Sequence, residues 1–177
     1  MKPPQIYLRN ALKQEYLAVG QLLVQVYSQL EGFPKPDEQP EYYKLLLHVG
    51  DLTQNPDTAL IVAVNENNDI LGAVVYFGQM AYYGSGGTAT QEKQSAGFRL
   101  LAVHPEARGL GIGKALTLEC LKRARASHLK QLIIHTTMAM KPAWNMYENL
   151  GFKRSENLDF MQGELPVFGF RFVFEST

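Results

Sequence analysis

Three glycines at alternate positions, Gly109, Gly111 and Gly113, form the segment of this chain with the clearest chemical potential. They follow an apolar stretch that ends at Val103, and a stretch with helical periodicity begins at Ile112. Glycines in a strand-to-helix turn let backbone N–H groups converge on one point, and the helix N-terminus adds a partial positive charge. The spacing therefore predicts a turn that binds phosphate through its peptide groups.

Two common nucleotide-binding motifs do not match this turn. A P-loop has Ser or Thr after its Gly-Lys pair, whereas Gly113 and Lys114 are followed by Ala115, so the magnesium ligand is missing. A dinucleotide fingerprint needs glycine where Lys114 stands, and an acidic residue about twenty positions later, where the apolar run 132–134 occurs. On the residues alone, a site for another phosphate-bearing ligand and a purely structural turn both stay open.

The turn resembles the acyl-coenzyme A signature of the GNAT superfamily of N-acetyltransferases, Arg/Gln-x-x-Gly-x-Gly/Ala. Arg108, Gly111 and Gly113 fill the three defined positions. Downstream, the segment 143–152 (AWNMYENLGF) is similar to the family's second motif, an Ala-x-x-x-Tyr that ends in Gly-Phe. The two motifs occur in the family's order, with a helix and a strand between them, so the match over 97–154 is specific.

The resemblance implies an α/β fold of the mixed α+β kind: a central twisted mixed β-sheet, flanked by helices and splayed between its fourth and fifth strands. Acetyl-coenzyme A would lie in that opening as the cosubstrate, and no metal would be required. The residues expected to bind it are Leu101, Val103, Arg108, Gly109, Leu110, Gly111, Ile112, Gly113 and Lys114. For Arg108 a structural role stays open, and Lys114 could simply extend into water.

Acetyl transfer to an amine needs a base for the amine, a donor for the developing oxyanion and an acid for the departing thiolate. The resemblance assigns the acid to Tyr147, whose phenol is protonated at neutral pH, with packing as the alternative role. A backbone N–H near Leu101 would serve the oxyanion. Many relatives carry a Glu base on the fourth strand where this chain has Gly97, and a cofactor-binding Asn where it has Met140.

The general base is therefore left open. The acids that could replace the missing Glu are Glu31, Glu38, Glu41 or one near the C-terminus, and no spacing selects among them. Four tyrosines belong to segments that line the acceptor side in the family, where they could form a pocket for an apolar or cationic amine or only pack: Tyr42, Tyr43, Tyr82 and Tyr83. His104 is expected to be structural, the other three histidines to have core or surface roles, and Cys120 to be inert. Direct attack by the acceptor is the simpler mechanism.

Hydrophobic periodicity predicts the elements that position these residues, in one domain over 1–177. Strands are expected around Ile6 and Leu8, over 60–64, 70–77, 97–103 and 131–136, from 152 onward, and through 168–174. Helices are expected over 14–30, 41–48, 112–126 and 143–150. Lys+Arg 17 balances Asp+Glu 17, so no net charge favours nucleic acid or an acidic membrane.

The single cysteine excludes an internal disulfide, and with no apparent signal or membrane segment the protein is expected in the cytoplasm. The sequence thus predicts an N-acetyltransferase that transfers the acetyl group of acetyl-coenzyme A to a primary amine by direct attack. Its partner would be a small-molecule or peptide amine, without nucleic acid or membrane, and relatives are often homodimers. A non-catalytic acyl-coenzyme A-binding or regulatory module of the same fold is the alternative.

Overall fold

A computed structural model of the protein describes residues 2–175, so the ends of the predicted domain, Met1, Ser176 and Thr177, lie outside the described residues. The strands are β1 Tyr7–Asn10, β2 Thr58–Val64, β3 Ile70–Phe77, β4 Ser95–Val103, β5 Gln131–Thr136, β6 Lys153–Arg154, β7 Phe160–Gln162 and β8 Leu165–Val173. The helices are α1 Tyr16–Ser28, α2 Pro40–Leu47, α3 Ile112–Ala126 and α4 Lys141–Leu150. The strands form a sheet in the order β1-β2-β3-β4-β5-β8-β6, and β7 pairs with β8.

The sheet is antiparallel except where β4 meets β5, which confirms the predicted mixed sheet. In the described chain, these two strands pair from Ser95 to Gly97 on β4 and from Gln131 to Ile133 on β5. Beyond Gly97 the two strands separate while both continue. The predicted splay between the fourth and fifth strands is therefore present.

A β-bulge interrupts β4 beside this opening. The β3–β4 register pairs Ala73 with Ala102 and Val75 with Arg99, which leaves two residues of β4 opposite one residue of β3. Leu100, inside the bulge, has φ +61°, a left-handed conformation that is uncommon for a non-glycine residue. The bulge shifts the side-chain alternation, because Leu100 and Ala102 pack in one core cluster whereas Leu101 packs against the other.

Two hydrophobic clusters cover the two faces of the sheet. Helices α1 and α2 pack on one face, where Leu23 and Leu46 are fully buried. Helices α3 and α4 pack on the other face, through Leu116, Cys120 and Tyr147. The strand residues alternate between the clusters with the period of two that a sheet buried on both faces requires.

Most predicted elements are present, but several bounds were wrong. Helix α1 begins at Tyr16 instead of 14, because a 3-10 turn over Lys13–Glu15 precedes it. Strand β4 begins at Ser95, two residues early, because its start pairs with β5. Helix α4 begins at Lys141 and takes Pro142 into its first turn, where a missing N–H does no harm. No helix among residues 2–175 is long and apolar enough to cross a membrane.

Candidate active site

A cavity of about 850 Å³ lies where β4 and β5 separate. It is bounded by the second half of β4, the glycine turn and the start of α3, by the end of α1, and by the segment from β5 into α4. Elements from both faces of the sheet thus surround this opening.

The glycine turn presents bare backbone at one end of this cavity. Gly109 has φ +82° and Gly111 φ +78°, and a Cβ atom at either position would meet nothing within 4 Å. Helix α3 begins directly after Gly111 and has no side-chain cap, so its first N–H groups keep their hydrogen-bonding capacity. An uncapped helix N-terminus behind two left-handed glycines fits a phosphate group by both shape and charge.

The structure brings together most of the residues that the sequence selected for binding the cosubstrate. The residues of that set that line the cavity are Leu101, Val103, Arg108, Gly109, Gly111, Ile112, Gly113 and Lys114. Leu110 does not line it, and its side chain is 43% exposed. Any contribution of Leu110 must therefore come from its backbone, as expected for a turn that binds through peptide groups.

Tyr147 projects from α4 into the same cavity. Its ring packs edge-on against Phe98 and Phe152, with centroids 5.8 and 5.7 Å away, and the residue is 4% exposed. Its hydroxyl has no hydrogen bond to the described part of the protein. Burial raises the pKa of the Tyr147 phenol well above its ordinary value, so the group stays protonated and able to donate.

The bulge in β4 interrupts the pairing with β3 at two residues that line the cavity. Leu100 and Leu101 have no partner in the β3–β4 register of the described chain. The Tyr27 hydroxyl, from α1, donates a 3.0 Å hydrogen bond to the Leu101 carbonyl. Tyr27 also lines the cavity, and the sequence analysis missed it. Its position near the end of an amphipathic helix gave no signal beyond core packing.

The space beside Gly97, where many relatives carry glutamate, is filled by another side chain. The ring of Tyr83 lies over Gly97, and its hydroxyl is 3.0 Å from His135 Nδ1. His135 Nε2 is 2.8 Å from the Leu158 carbonyl. A carbonyl can only accept, so Nε2 carries the proton and Nδ1 accepts from Tyr83.

His135 lines the cavity from β5. Burial lowers its pKa and outweighs the opposing effect of the Leu158 carbonyl, so the ring is neutral near pH 7. Both ring nitrogens are engaged by protein partners. An isolated histidine on a strand has no spacing that would have revealed this arrangement.

The remaining candidate acids and tyrosines differ in their burial and in whether they line the cavity. Glu31 lines the cavity at its exposed rim, whereas Glu41 points to solvent beside Lys44. Among the tyrosines expected near the acceptor, Tyr83 and Tyr43 are buried, while Tyr82 is 36% exposed.

Cys120 is fully buried on α3, and burial strongly raises the pKa of its thiol, which keeps it unreactive. The described residues hold no group of three or more His, Cys, Asp or Glu side chains that could bind a metal ion.

The splayed sheet beside a glycine turn at a helix N-terminus has the arrangement that the sequence resemblance implied. The family model "Acetyltransferase (GNAT) family" matches residues 21–152, and the chain belongs to that family. It is therefore an acyltransferase enzyme, of a family that uses acetyl-coenzyme A as its cosubstrate.

Curated proteins of similar sequence match this chain over a shorter stretch than the family model does. A mycothiol acetyltransferase of Acidothermus cellulolyticus is 39% identical over 54 residues, which are 30% of this chain and 16% of that protein. One from Thermobispora bispora is 42% identical over 55 residues, 31% of this chain and 19% of that protein. The matched segment thus spans under a fifth of these curated relatives.

The fold is also that of a GNAT-family acetyltransferase structure from Staphylococcus aureus Mu50. That structure aligns with a TM-score of 0.72 at 15% identity, over 94% of this chain and 98% of the other. At this identity the similarity establishes the fold.

Proposed function

We propose that this enzyme transfers the acetyl group of acetyl-coenzyme A to a primary amine by direct attack. The observation that carries the proposal is that one cavity joins an uncapped glycine turn, the bulged segment of β4 and the protonated phenol of Tyr147. These are the three parts that phosphate binding, oxyanion stabilisation and thiolate protonation need.

The glycine turn would hold the cosubstrate's pyrophosphate through N–H groups at the start of α3, with Arg108 and Lys114 as exposed positive charges beside it. Leu101 and Val103, on β4, would pair with the pantetheine arm. These two binding roles are supported by the positions of the two elements: the turn lies at one end of the cavity, and β4 runs along it. The residues thereby direct the thioester toward the bulge.

The reaction forms a C–N bond and breaks the C–S bond of the thioester. The amine nitrogen loses one proton, and the departing sulfur gains one, which Tyr147 would donate. A backbone N–H of the bulge, at Leu100 or Leu101, would stabilise the negative charge on the carbonyl oxygen. Of the acids that the sequence offered, Glu31 lines the cavity, and it would take the proton from the amine.

We further propose a single domain over 1–177 that works in the cytoplasm on a small-molecule or peptide amine. Neither a nucleic acid nor a membrane is required by the proposed chemistry. A homodimer remains a prediction from the family, to be decided by the mass of the protein in solution.

Two measurements test the function. Acetyl-coenzyme A at about 100 times its dissociation constant should stabilise the fold by about 2.7 kcal/mol, and ATP and NAD at equal concentration by much less. A panel of amines should then release free coenzyme A thiol. An equal stabilisation by ATP would overturn the cosubstrate assignment. Tight acetyl-coenzyme A binding without thiol release from any amine would favour the non-catalytic acyl-coenzyme A-binding or regulatory module.

A further inference from the structure

Arg99 brings a positive charge into the cavity at the side away from the glycine turn. It stands on β4 just before the bulge and lines the cavity. It lies four positions before Val103, the last residue of the strand, which is at most about 13 Å along β4. A phosphate held at the glycine turn therefore lies too far away to neutralise Arg99.

One hydrogen bond holds the guanidinium in place and leaves most of its donors free. Arg99 Nη1 donates to the Tyr83 carbonyl at 2.8 Å, and the guanidinium carbon lies 5.8 Å from the centre of the Tyr83 ring. A guanidinium carries five N–H donors in a planar fork. Within residues 2–175, Arg99 forms no ion pair, whereas Arg9, Arg123, Arg154 and Arg171 each have a carboxylate partner.

The surroundings of Arg99 are aromatic and contain little that could balance its charge. Burial raises the pKa of Tyr27, Tyr42 and Tyr83, and the charge of Arg99 opposes that rise at each of them. These three phenols are neutral and so provide no counter-charge. Glu31, at the rim, is exposed and makes no ion pair with Arg99.

A half-buried guanidinium without a carboxylate partner favours an anionic ligand. Removing a charge from water is costly, and a charged partner with matching geometry recovers that cost. The planar fork matches the two oxygens of a carboxylate. Arg99 is one residue from the bulge, so such a carboxylate would lie within a few bonds of an amine that reacts there.

We propose that Arg99 binds the carboxylate of the acceptor, and that the acceptor is a small amino acid whose amine is acetylated. This inference rests on the proposed function and names its substrate class. The wall of the cavity formed by Leu30, Ala139 and Met140 is apolar and suits an aliphatic side chain.

The experiment compares leucine with leucinol, which keeps the amine and the side chain but lacks the carboxylate. Coenzyme A release should give a kcat/KM for leucine about 10- to 100-fold above that for leucinol, mainly through KM. Arg99→Gln should abolish this preference, and Arg99→Lys should retain part of it. The matched control is Arg125→Gln, which removes an exposed charge that stacks on Phe174 outside the cavity and should keep the preference.

Equal use of leucine and leucinol by the wild type, with thiol released from both, would overturn the inference while the proposed function stands. A preference for leucine over leucinol that survives Arg99→Gln would also overturn the inference. The same holds if Arg99→Gln lowers the affinity for acetyl-coenzyme A and thereby slows the reaction of both acceptors equally. Calorimetry with N-acetylleucine and N-acetylleucinol, in the presence of coenzyme A, decides the matter without turnover. If no amine reacts, tighter binding of N-acetylleucine that depends on Arg99 would still support the carboxylate site.

Discussion

The ring of Tyr83 occupies the space that a side chain at Gly97 would need. A Cβ atom at Gly97 would lie 2.5 Å from Tyr83 Cε1 and 2.9 Å from Met80 Sδ, closer than non-bonded atoms approach. The position at which many GNAT relatives carry glutamate is therefore closed in this protein. The same packing holds the Tyr83 hydroxyl against His135.

Gly97→Ala should lower the free energy of unfolding by about 1–3 kcal/mol, because its methyl group overpacks the contact with Tyr83. Urea unfolding measures the change. Gly113→Ala is the control, since its Cβ would meet Met146 and Val103 at an ordinary 3.8 Å within a helix that favours alanine. Wild-type stability in Gly97→Ala would mean that the Tyr83 ring can move aside at little cost.

His135 should make the protein less stable as the pH falls from about 6.5, the ordinary pKa of histidine. Its pKa is lowered in the folded state, so the unfolded chain binds the proton first. The stability is therefore complete above about pH 6.5 and is lost toward the lowered pKa, with a slope of at most about 1.4 kcal/mol per pH unit.

His135→Gln should flatten this slope between pH 7 and pH 5, measured by urea unfolding at each pH. His48→Gln, at an exposed position, should retain it. Hydrogen bonds from Arg9 and Arg154 lower the pKa of Glu15 and Asp159, so the stability these carboxylates provide is lost only in a more acidic range. An unchanged slope in His135→Gln would contradict the assignment.

The parts of the site that local sequence specifies were predictable. A phosphate-binding turn needs exposed backbone N–H groups, residues with left-handed backbone angles and the start of a helix within a few residues. Gly109 and Gly111 supply the exposed backbone and the left-handed angles just before the helix starts. The place of Tyr147 beside the cavity was predictable because a second local motif positions it, whereas its role as the acid stays a prediction. Both predictions depend on spacing along one element, which sequence reveals directly.

The proposed acceptor side was not predictable, because its residues meet only through tertiary packing. Tyr27 comes from α1, Arg99 from β4 and His135 from β5, and none of them belongs to a motif. The bulge at Leu100 depends on how β3 pairs with β4, and no residue type in the sequence indicates it. The 3-10 turn before α1 was missed because apolar periodicity does not distinguish a 3-10 turn from a first helical turn.

Gly111→Ala should weaken acetyl-coenzyme A binding at least tenfold, because a methyl group enters the open space in front of the turn. It should also lower the free energy of unfolding by about 1–2 kcal/mol, since φ is +78° at this position. Gly163→Ala separates the two effects. Gly163 has φ +61° and open space around it but lies outside the cavity lining, so that variant should lose stability and keep its affinity. Calorimetry that finds equal affinities for both variants would make the turn purely structural.

A change at Tyr147 tests catalysis separately from the binding of acetyl-coenzyme A. Burial keeps its phenol protonated well beyond its ordinary pKa, so its ionisation should not limit the rate below about pH 10. An alkaline decline of the wild-type rate below that pH would therefore have to come from another group. The hydroxyl has no hydrogen bond to the described residues, which leaves it available to the reacting sulfur.

Tyr147→Phe should lower kcat by about 10²–10⁴-fold, the usual contribution of a general acid, while acetyl-coenzyme A affinity changes little. The ring and its packing against Phe98 and Phe152 are retained, so the melting temperature should stay close to that of the wild type. Tyr76→Phe is the matched control: it removes a buried hydroxyl without a partner in the described chain, outside the cavity lining, and should leave kcat unchanged. Full turnover in Tyr147→Phe, measured by coenzyme A release, would make Tyr147 a packing residue, and water would then protonate the thiolate.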